Sequence, residues 1–128
     1  MLRPSSRALP GGDDVVDVIA ADAYNFHTCR GKSEQWRSLE TAITPMRNFG
    51  RAHPDKPLLL TEWGSVEDPA NPNRKAQWFR DARALFKKPG WEQYVGVVYF
   101  TRRGKYQCNW SFDTSPTARQ AFIEMAQD

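Results

Sequence analysis

Three apolar segments rich in β-branched and aromatic residues lie along the chain, at 15–20, 57–61 and 94–101. Their apolar residues run almost without interruption, whereas a strand with one solvated face alternates strictly between apolar and polar positions. Continuous runs of this length are typical of strands that are covered on both faces of a sheet. The pattern therefore predicts three buried strands.

A helical signal follows each of these segments. Thr44-Pro45, Asn71-Pro72 and Ser115-Pro116 each place a favoured N-cap residue before a proline at the first helical position. Apolar residues with a helical period come after each pair, and the lysines and Gly of 87–90 indicate a helix end. Strand, loop and helix recur three times in this order, which predicts an α/β fold with three consecutive βα units and parallel strands.

Length and composition set limits on the function. The 128 residues suggest one domain at 13–128, preceded by a loop or arbitrary start at 1–12 that lacks the apolar stretch of a signal peptide. Basic residues outnumber acidic ones by 18 to 15 without forming a run, so nucleic acid is not an expected partner. The mean hydropathy of −0.70 argues against a membrane span. Glycine-rich phosphate loops are absent, which argues against a nucleotide cofactor.

Candidate chemistry is concentrated where the predicted strands end. In parallel α/β folds, functional sites gather at the carboxyl edge of the sheet. Carboxylates, amides and flat rings follow the three segments, and together they suit a carbohydrate, whose hydroxyls bind polar groups and whose C–H faces pack on rings. The residues are Tyr24 and Asn25, then Glu62 and Trp63, then Tyr99, Phe100 and Trp110.

Each of these residues also has a simpler interpretation. Glu62 could be a solvated strand-end carboxylate, and Trp63 and Trp110 could belong to the core. The two cysteines, Cys29 and Cys108, form no CxxC pair, so a metal site is not expected. From the residues alone they are either two free thiols or one disulfide, and a disulfide would imply an oxidising compartment.

Three stretches together resemble the C-terminal part of glycoside hydrolase family 26, a group that includes β-mannanases. They read VVDVIAADAYN, KPLLLTEWGSVED and GVVYFTRRGKYQCNWSFDTSPTARQAF, and they span most of 11–128. The resemblance implies a (β/α)8 barrel and a retaining mechanism. It also implies that the chain is a partial barrel, with its three units corresponding to strands six, seven and eight.

The resemblance implies a role for each strand-end residue. Glu62 matches the catalytic nucleophile, and Tyr24 matches the aromatic residue that hydrogen-bonds the nucleophile. Trp63 and Asn25 lie beside them, and Tyr99, Phe100 and Trp110 match a region that lines the sugar subsites. The acid/base Glu of the family belongs to strand four, which has no counterpart in this chain.

Further expectations follow from the same resemblance. Cys29 and Cys108 would lie in loops on one face of the barrel and form a disulfide, and the parent protein would be secreted. The partner would be a polysaccharide or oligosaccharide, with no cofactor, and the open edges of a partial sheet would favour self-association. The alternative is a non-catalytic glycan-binding module, or a pseudoenzyme fragment, that uses the same aromatic and amide residues.

Overall fold

A computed structural model describes residues 9, 11–31, 34–103 and 108–128 of the chain, so most of the predicted loop at 1–12 lies outside the described residues. Within these residues, three strands alternate with three α-helices. The order is β1 (Ile19–Asn25), α1 (Leu39–Arg51), β2 (Leu58–Ser65), α2 (Arg74–Phe86), β3 (Tyr94–Tyr99) and α3 (Pro116–Ala126), with a short 3-10 helix at Asp13–Val15 before β1.

The three strands form one open parallel sheet in the order β1-β2-β3. The βα repeat and the parallel strands predicted from the sequence are therefore confirmed. Tyr24 pairs with Gly64, and Trp63 pairs with Tyr99, so the carboxyl ends of all three strands reach the same edge of the sheet. That edge brings residues distant in sequence into contact.

The core lies between the sheet and its helices, and these cover one face of the sheet. Leu60 and Trp63 of β2 pack with Ile43 of α1, Phe79 of α2 and Ala118 of α3 in one cluster of buried side chains. The other face carries exposed side chains. Ala20 and Asp22 of β1 are exposed, and so is Val98 of β3, at 55%. The prediction that the strands are covered on both faces is therefore wrong for the described residues.

The strand boundaries also differ from the predicted ones. Val15 belongs to the 3-10 helix and is 63% exposed, and β1 begins only at Ile19, where pairing with Leu58 begins. In the other direction β1 continues through Asn25 and β2 through Ser65. The paired parts of these two strands therefore include Tyr24, Asn25, Glu62 and Trp63, which do not lie in the loops that follow. Pairing with a neighbouring strand extends both strands past their apolar runs.

Two of the three helix starts differ from the predicted ones as well. Helix α1 begins at Leu39, after the N-cap Ser38, whose side chain accepts a hydrogen bond from the Thr41 amide. Pro45 is consequently inside the helix, where it cannot donate the backbone hydrogen bond of an ordinary helical residue. The core contacts of Leu39 and Ile43 stabilise the helix despite this loss. Helix α2 begins at Arg74, with Asn73 in the left-handed conformation as its N-cap.

Helix α3 begins where the sequence predicts. Ser115 is its N-cap and accepts a hydrogen bond from the Ala118 amide, and Pro116 is its first residue.

Among the described residues, no helix combines the length and the apolar character that crossing a membrane requires.

Candidate functional site

A hydrogen bond between two strands is at the centre of the candidate site. The Tyr24 hydroxyl of β1 donates to Oε2 of Glu62 on β2 over 2.7 Å, and both side chains are partly buried. Burial of the phenol, followed by its hydrogen bond to the Glu62 carboxylate, raises the pKa of Tyr24 well above its usual range. The phenol therefore stays protonated at physiological pH and remains a donor to Glu62.

A β-bulge in β2 turns Glu62 away from the core. With strict alternation, Glu62 would lie on the same face as Leu58 and Leu60, which are both fully buried against the helices. The pairing with β1 shifts by one residue between Ala21 and Asp22, because Leu60 pairs with Ala21 whereas Glu62 pairs with Asp22. The extra residue, Thr61, donates its hydroxyl to Asp22 Oδ1 and to the Ala21 carbonyl. Bulges of this kind commonly redirect a side chain beside a functional site.

Gly64 lets two aromatic rings lie directly over β2. A Cβ atom at this position would be 3.3 Å from Cε1 of Tyr24 and 3.4 Å from Cε3 of Trp110. The distance to Tyr24 is tighter than ordinary van der Waals contact and the distance to Trp110 is at its lower limit, so the Tyr24 ring would have to shift. The glycine of the TEWGS stretch therefore allows Tyr24 and Trp110 to pack against the strand that carries Glu62.

The ring that binds Glu62 belongs to an aromatic cluster, which consists of Tyr24, Phe26, Phe100 and Trp110. The Tyr24 ring centroid is 4.7 Å from that of Trp110 and 6.0 Å from that of Phe100, and the Phe26 and Trp110 centroids are 5.0 Å apart. Trp110 is only 6% exposed, whereas Tyr24, Phe26 and Phe100 are partly exposed. Phe26, which follows β1 directly, was not among the predicted site residues.

Two of the predicted sugar contacts, Trp63 and Asn25, are in the interior instead, and a third, Tyr99, is half-buried and packs against the core. Trp63 is 1% exposed, lies on the helix-covered face and stacks on Trp78 with centroids 5.4 Å apart. Tyr99 packs edge-on against Trp63 at 5.3 Å. Asn25 is 1% exposed, and it donates to Ser65 Oγ and accepts from the Arg37 amide. Since these side chains are already satisfied or packed, we retain none of the three as a substrate contact.

A disulfide ties the loop after β1 to the segment after β3. Cys29 and Cys108 are bonded across 79 residues of sequence, which is the pairing that the resemblance implies. Cys108 is buried in a cluster with Val66 and Trp110, and Phe100 packs at its border. The disulfide therefore fixes the chain immediately before the ring that packs on Tyr24.

A buried lysine holds the segment on the other side of Trp110. Nζ of Lys75 donates to the Ser111 carbonyl over 2.7 Å and to Thr114 Oγ1 over 2.9 Å, and Thr114 in turn donates to Glu67. Desolvation by burial lowers the pKa of Lys75 to about 8. This role of Lys75 was not predicted, because a lysine in the first turn of a helix normally points into solvent.

The described residues of the site contain no group of ligands that a metal ion would require. Among the residues that the structure describes, no three His, Cys, Asp or Glu side chains come together as metal ligands would.

The chain matches no protein-family model and no curated protein. A function can therefore be proposed only from its own residues.

Proposed function

We propose that this chain supplies the nucleophile side of a retaining glycoside hydrolase site, with Glu62 as the nucleophile and a β-mannan or related β-glycan as the substrate. The main support is the 2.7 Å hydrogen bond from Tyr24 to Glu62. A carboxylate held in one orientation, at the carboxyl edge of a parallel sheet and beside partly exposed rings, suits attack on a sugar that packs against those rings.

The geometry suggests which oxygen attacks. Oε2 of Glu62 is occupied by the Tyr24 hydroxyl, and no hydrogen bond to Oε1 is found among the described residues. In the first step, Oε1 would form a bond to the anomeric carbon, and the bond from that carbon to the leaving-group oxygen would break, with the electron pair going to that oxygen. Water would then hydrolyse the glycosyl ester. The general acid that such an enzyme also needs is assigned to no residue of this chain.

The fold supports the same proposal at a coarser level. Three βα units with helices on one face and an exposed opposite face have the arrangement of an arc of a (β/α)8 barrel, in which the uncovered face would line the barrel interior. We therefore propose that the chain is a partial barrel. The disulfide is compatible with secretion of the parent protein into an oxidising compartment.

Covalent labelling of Glu62 would test the nucleophile directly. The probe is 2,4-dinitrophenyl 2-deoxy-2-fluoro-β-mannoside, whose phenolate leaves without protonation, so the missing general acid is not required. The fluorine slows hydrolysis of the glycosyl ester, and the adduct should accumulate on the Glu62 peptide in mass spectrometry. One equivalent of dinitrophenolate should be released per chain.

Two variants make the result specific. Glu62→Gln should abolish both the adduct and the release of dinitrophenolate. Glu40→Gln is the matched control, because Glu40 is an exposed carboxylate on α1 with its side chain 52% accessible, and it should label like the wild type. Absence of an adduct in the wild type, or an adduct on another carboxylate, would refute Glu62 as the nucleophile.

Non-catalytic glycan binding has less support. Two of the rings that would serve that alternative as sugar platforms, Trp63 and Trp110, are only 1% and 6% exposed. Flat sugar faces need accessible rings. The rings that remain accessible are those of Tyr24, Phe26 and Phe100, and one of them, Tyr24, is hydrogen-bonded to the carboxylate, which favours the catalytic proposal.

A further inference from the structure

A cavity of about 340 Å³ lies beside the candidate nucleophile. Its lining comprises Tyr24, Phe26, His27, Arg30, Glu34, Gln35 and Arg37. Tyr24 is shared between this cavity and the hydrogen bond to Glu62, so a sugar bound in the cavity would lie next to a sugar bound at Glu62. The Tyr24 and Phe26 rings offer apolar walls, and the other side chains offer polar groups.

The carboxylates near this cavity are already paired with other arginines. Arg30 donates to both carboxylate oxygens of Glu34 while its guanidinium lies 3.6 Å from the Phe26 ring centroid. Asp68, which is 3.4 Å from Nε2 of His27, accepts from Arg74 over 2.8 Å. Both negative charges are thus compensated locally, and neither is available to a further cation.

Among the described residues that line the cavity, Arg37 is the cation left without such a partner. Its side chain is exposed, and no carboxylate of the described residues lies within ion-pair distance of it. Its backbone is fixed, because its amide donates to Asn25 Oδ1 and its carbonyl accepts from Nε1 of Trp78. A guanidinium on a fixed backbone, facing a sugar-sized cavity, is well suited to binding a carboxylate through two parallel hydrogen bonds.

We propose that this cavity is a subsite for an acidic sugar unit, a hexuronate, whose carboxylate pairs with Arg37. The proposal names the substrate class of the same site and so rests on the proposed function. A neutral hexose would still pack on Tyr24 but would leave Arg37 without a counter-charge. The chain should therefore prefer a glycan that carries uronate residues over its neutral counterpart.

The test compares two trisaccharides that differ only in oxidation at C6, β-1,4-mannotriose and β-1,4-trimannuronate, by isothermal titration at low ionic strength. The wild type should bind trimannuronate about tenfold more tightly. Arg37→Gln should abolish that preference, whereas Arg51→Gln, which removes an exposed arginine at the end of α1, should retain it. The preference should also weaken as salt is added.

Equal affinity of the wild type for the two trisaccharides, or no measurable binding of either, would overturn the proposal. So would a preference that survives Arg37→Gln. The result of this titration and the result of the covalent labelling can be distinguished. A preference for trimannuronate in a chain whose Glu62 does not label would support the subsite and refute the nucleophile, and labelling without any preference would do the reverse.

Discussion

Tyr24 and Glu62 are 38 residues apart in the sequence, and a 2.7 Å hydrogen bond joins the phenol of one to the carboxylate of the other. The contact depends on parallel pairing of β1 and β2, on the bulge at Thr61 and on the absence of a side chain at Gly64. The bulge directs the carboxylate out of the core, and the glycine gives the phenol room. The candidate nucleophile is thus oriented by the sheet itself.

Tyr24→Phe should slow glycosylation of Glu62 without unfolding the chain. The ring and its contacts with Trp110 remain, but the carboxylate loses the donor that fixes it. Because a hydrogen bond to a charged group contributes about 1.5–3 kcal/mol, the labelling rate should fall about ten- to a hundredfold. Dinitrophenolate release measures that rate.

Tyr94→Phe is the matched control for this experiment. Its hydroxyl also makes a hydrogen bond between distant elements, to the Ile43 carbonyl, but it lies in the helix-covered core. The Tyr94→Phe variant should have a lower free energy of unfolding and an unchanged labelling rate. A rate for Tyr24→Phe equal to that of the wild type would show that the phenol does not assist Glu62.

Local signals predicted the helices best. The cap Ser115 and the following Pro116 define the start of α3 through contacts within four residues, and the apolar residues with a helical period after Asn71, such as Trp78 and Phe79, lie in the core. At Pro45 the same type of signal was wrong. There, packing of Leu39 and Ile43 against the sheet outweighs the cost of a proline inside the helix.

Tertiary contacts explain what the sequence could not predict. The bulge at Thr61 decides which of Glu62 and Trp63 faces the open side, and a bulge has no signature in the run LLLTEW. The burial of Lys75 depends on the Ser111 carbonyl, 36 residues away. The sequence predicts which residues come at the end of each strand. Which of these side chains are buried and which are exposed depends on the pairing register of the strands, and the sequence does not reveal that register.

The stability contributed by Lys75 should increase with pH. Its pKa is about 8 in the folded protein, against the usual value of 10.5 that applies to the unfolded chain. Between these values the unfolded chain binds more protons than the folded protein, so the free energy of unfolding rises with pH. The rise should be about 1–2 kcal/mol between pH 8 and 9.5.

Urea unfolding of the wild type and of Lys75→Met at pH 7, 8, 9 and 9.5 would measure this effect. The difference in free energy of unfolding between the two proteins should grow in favour of the wild type as pH increases. Tyrosines with raised pKa values lose protons later in the folded state and act in the opposite direction, but only above about pH 10. A difference independent of pH would show that the amine is not desolvated as the structure indicates.

Loss of the disulfide should destabilise the domain. Cys29 and Cys108 close a loop across 79 residues, and the chain-entropy model gives about 4 kcal/mol for a loop of this size. Urea unfolding of Cys29→Ser/Cys108→Ser, and of the reduced wild type, should show similar losses. Thiol titration of the denatured, unreduced protein should find no reactive thiol, and two thiols would contradict the pairing.

We expect the exposed edge of β3 to drive self-association. Within the described residues β3 pairs only with β2, and its Val95 and Val98 are 67% and 55% exposed. An apolar strand with unpaired backbone groups pairs readily with another chain, and a lysine on such an edge opposes pairing because its charge would have to be desolvated. The wild type should therefore show concentration-dependent oligomers in sedimentation velocity, and Val95→Lys should shift them towards monomer.

Val15→Lys provides a control with the same chemical change at nearly the same exposure. Val15 is 63% exposed but lies in the 3-10 helix before β1, away from the edge of β3. The added charge should improve solubility equally in both variants, so a difference between them isolates edge pairing from general charge repulsion. Equal dissociation by both variants, or a monomeric wild type at every concentration, would mean that the β3 edge is not the contact.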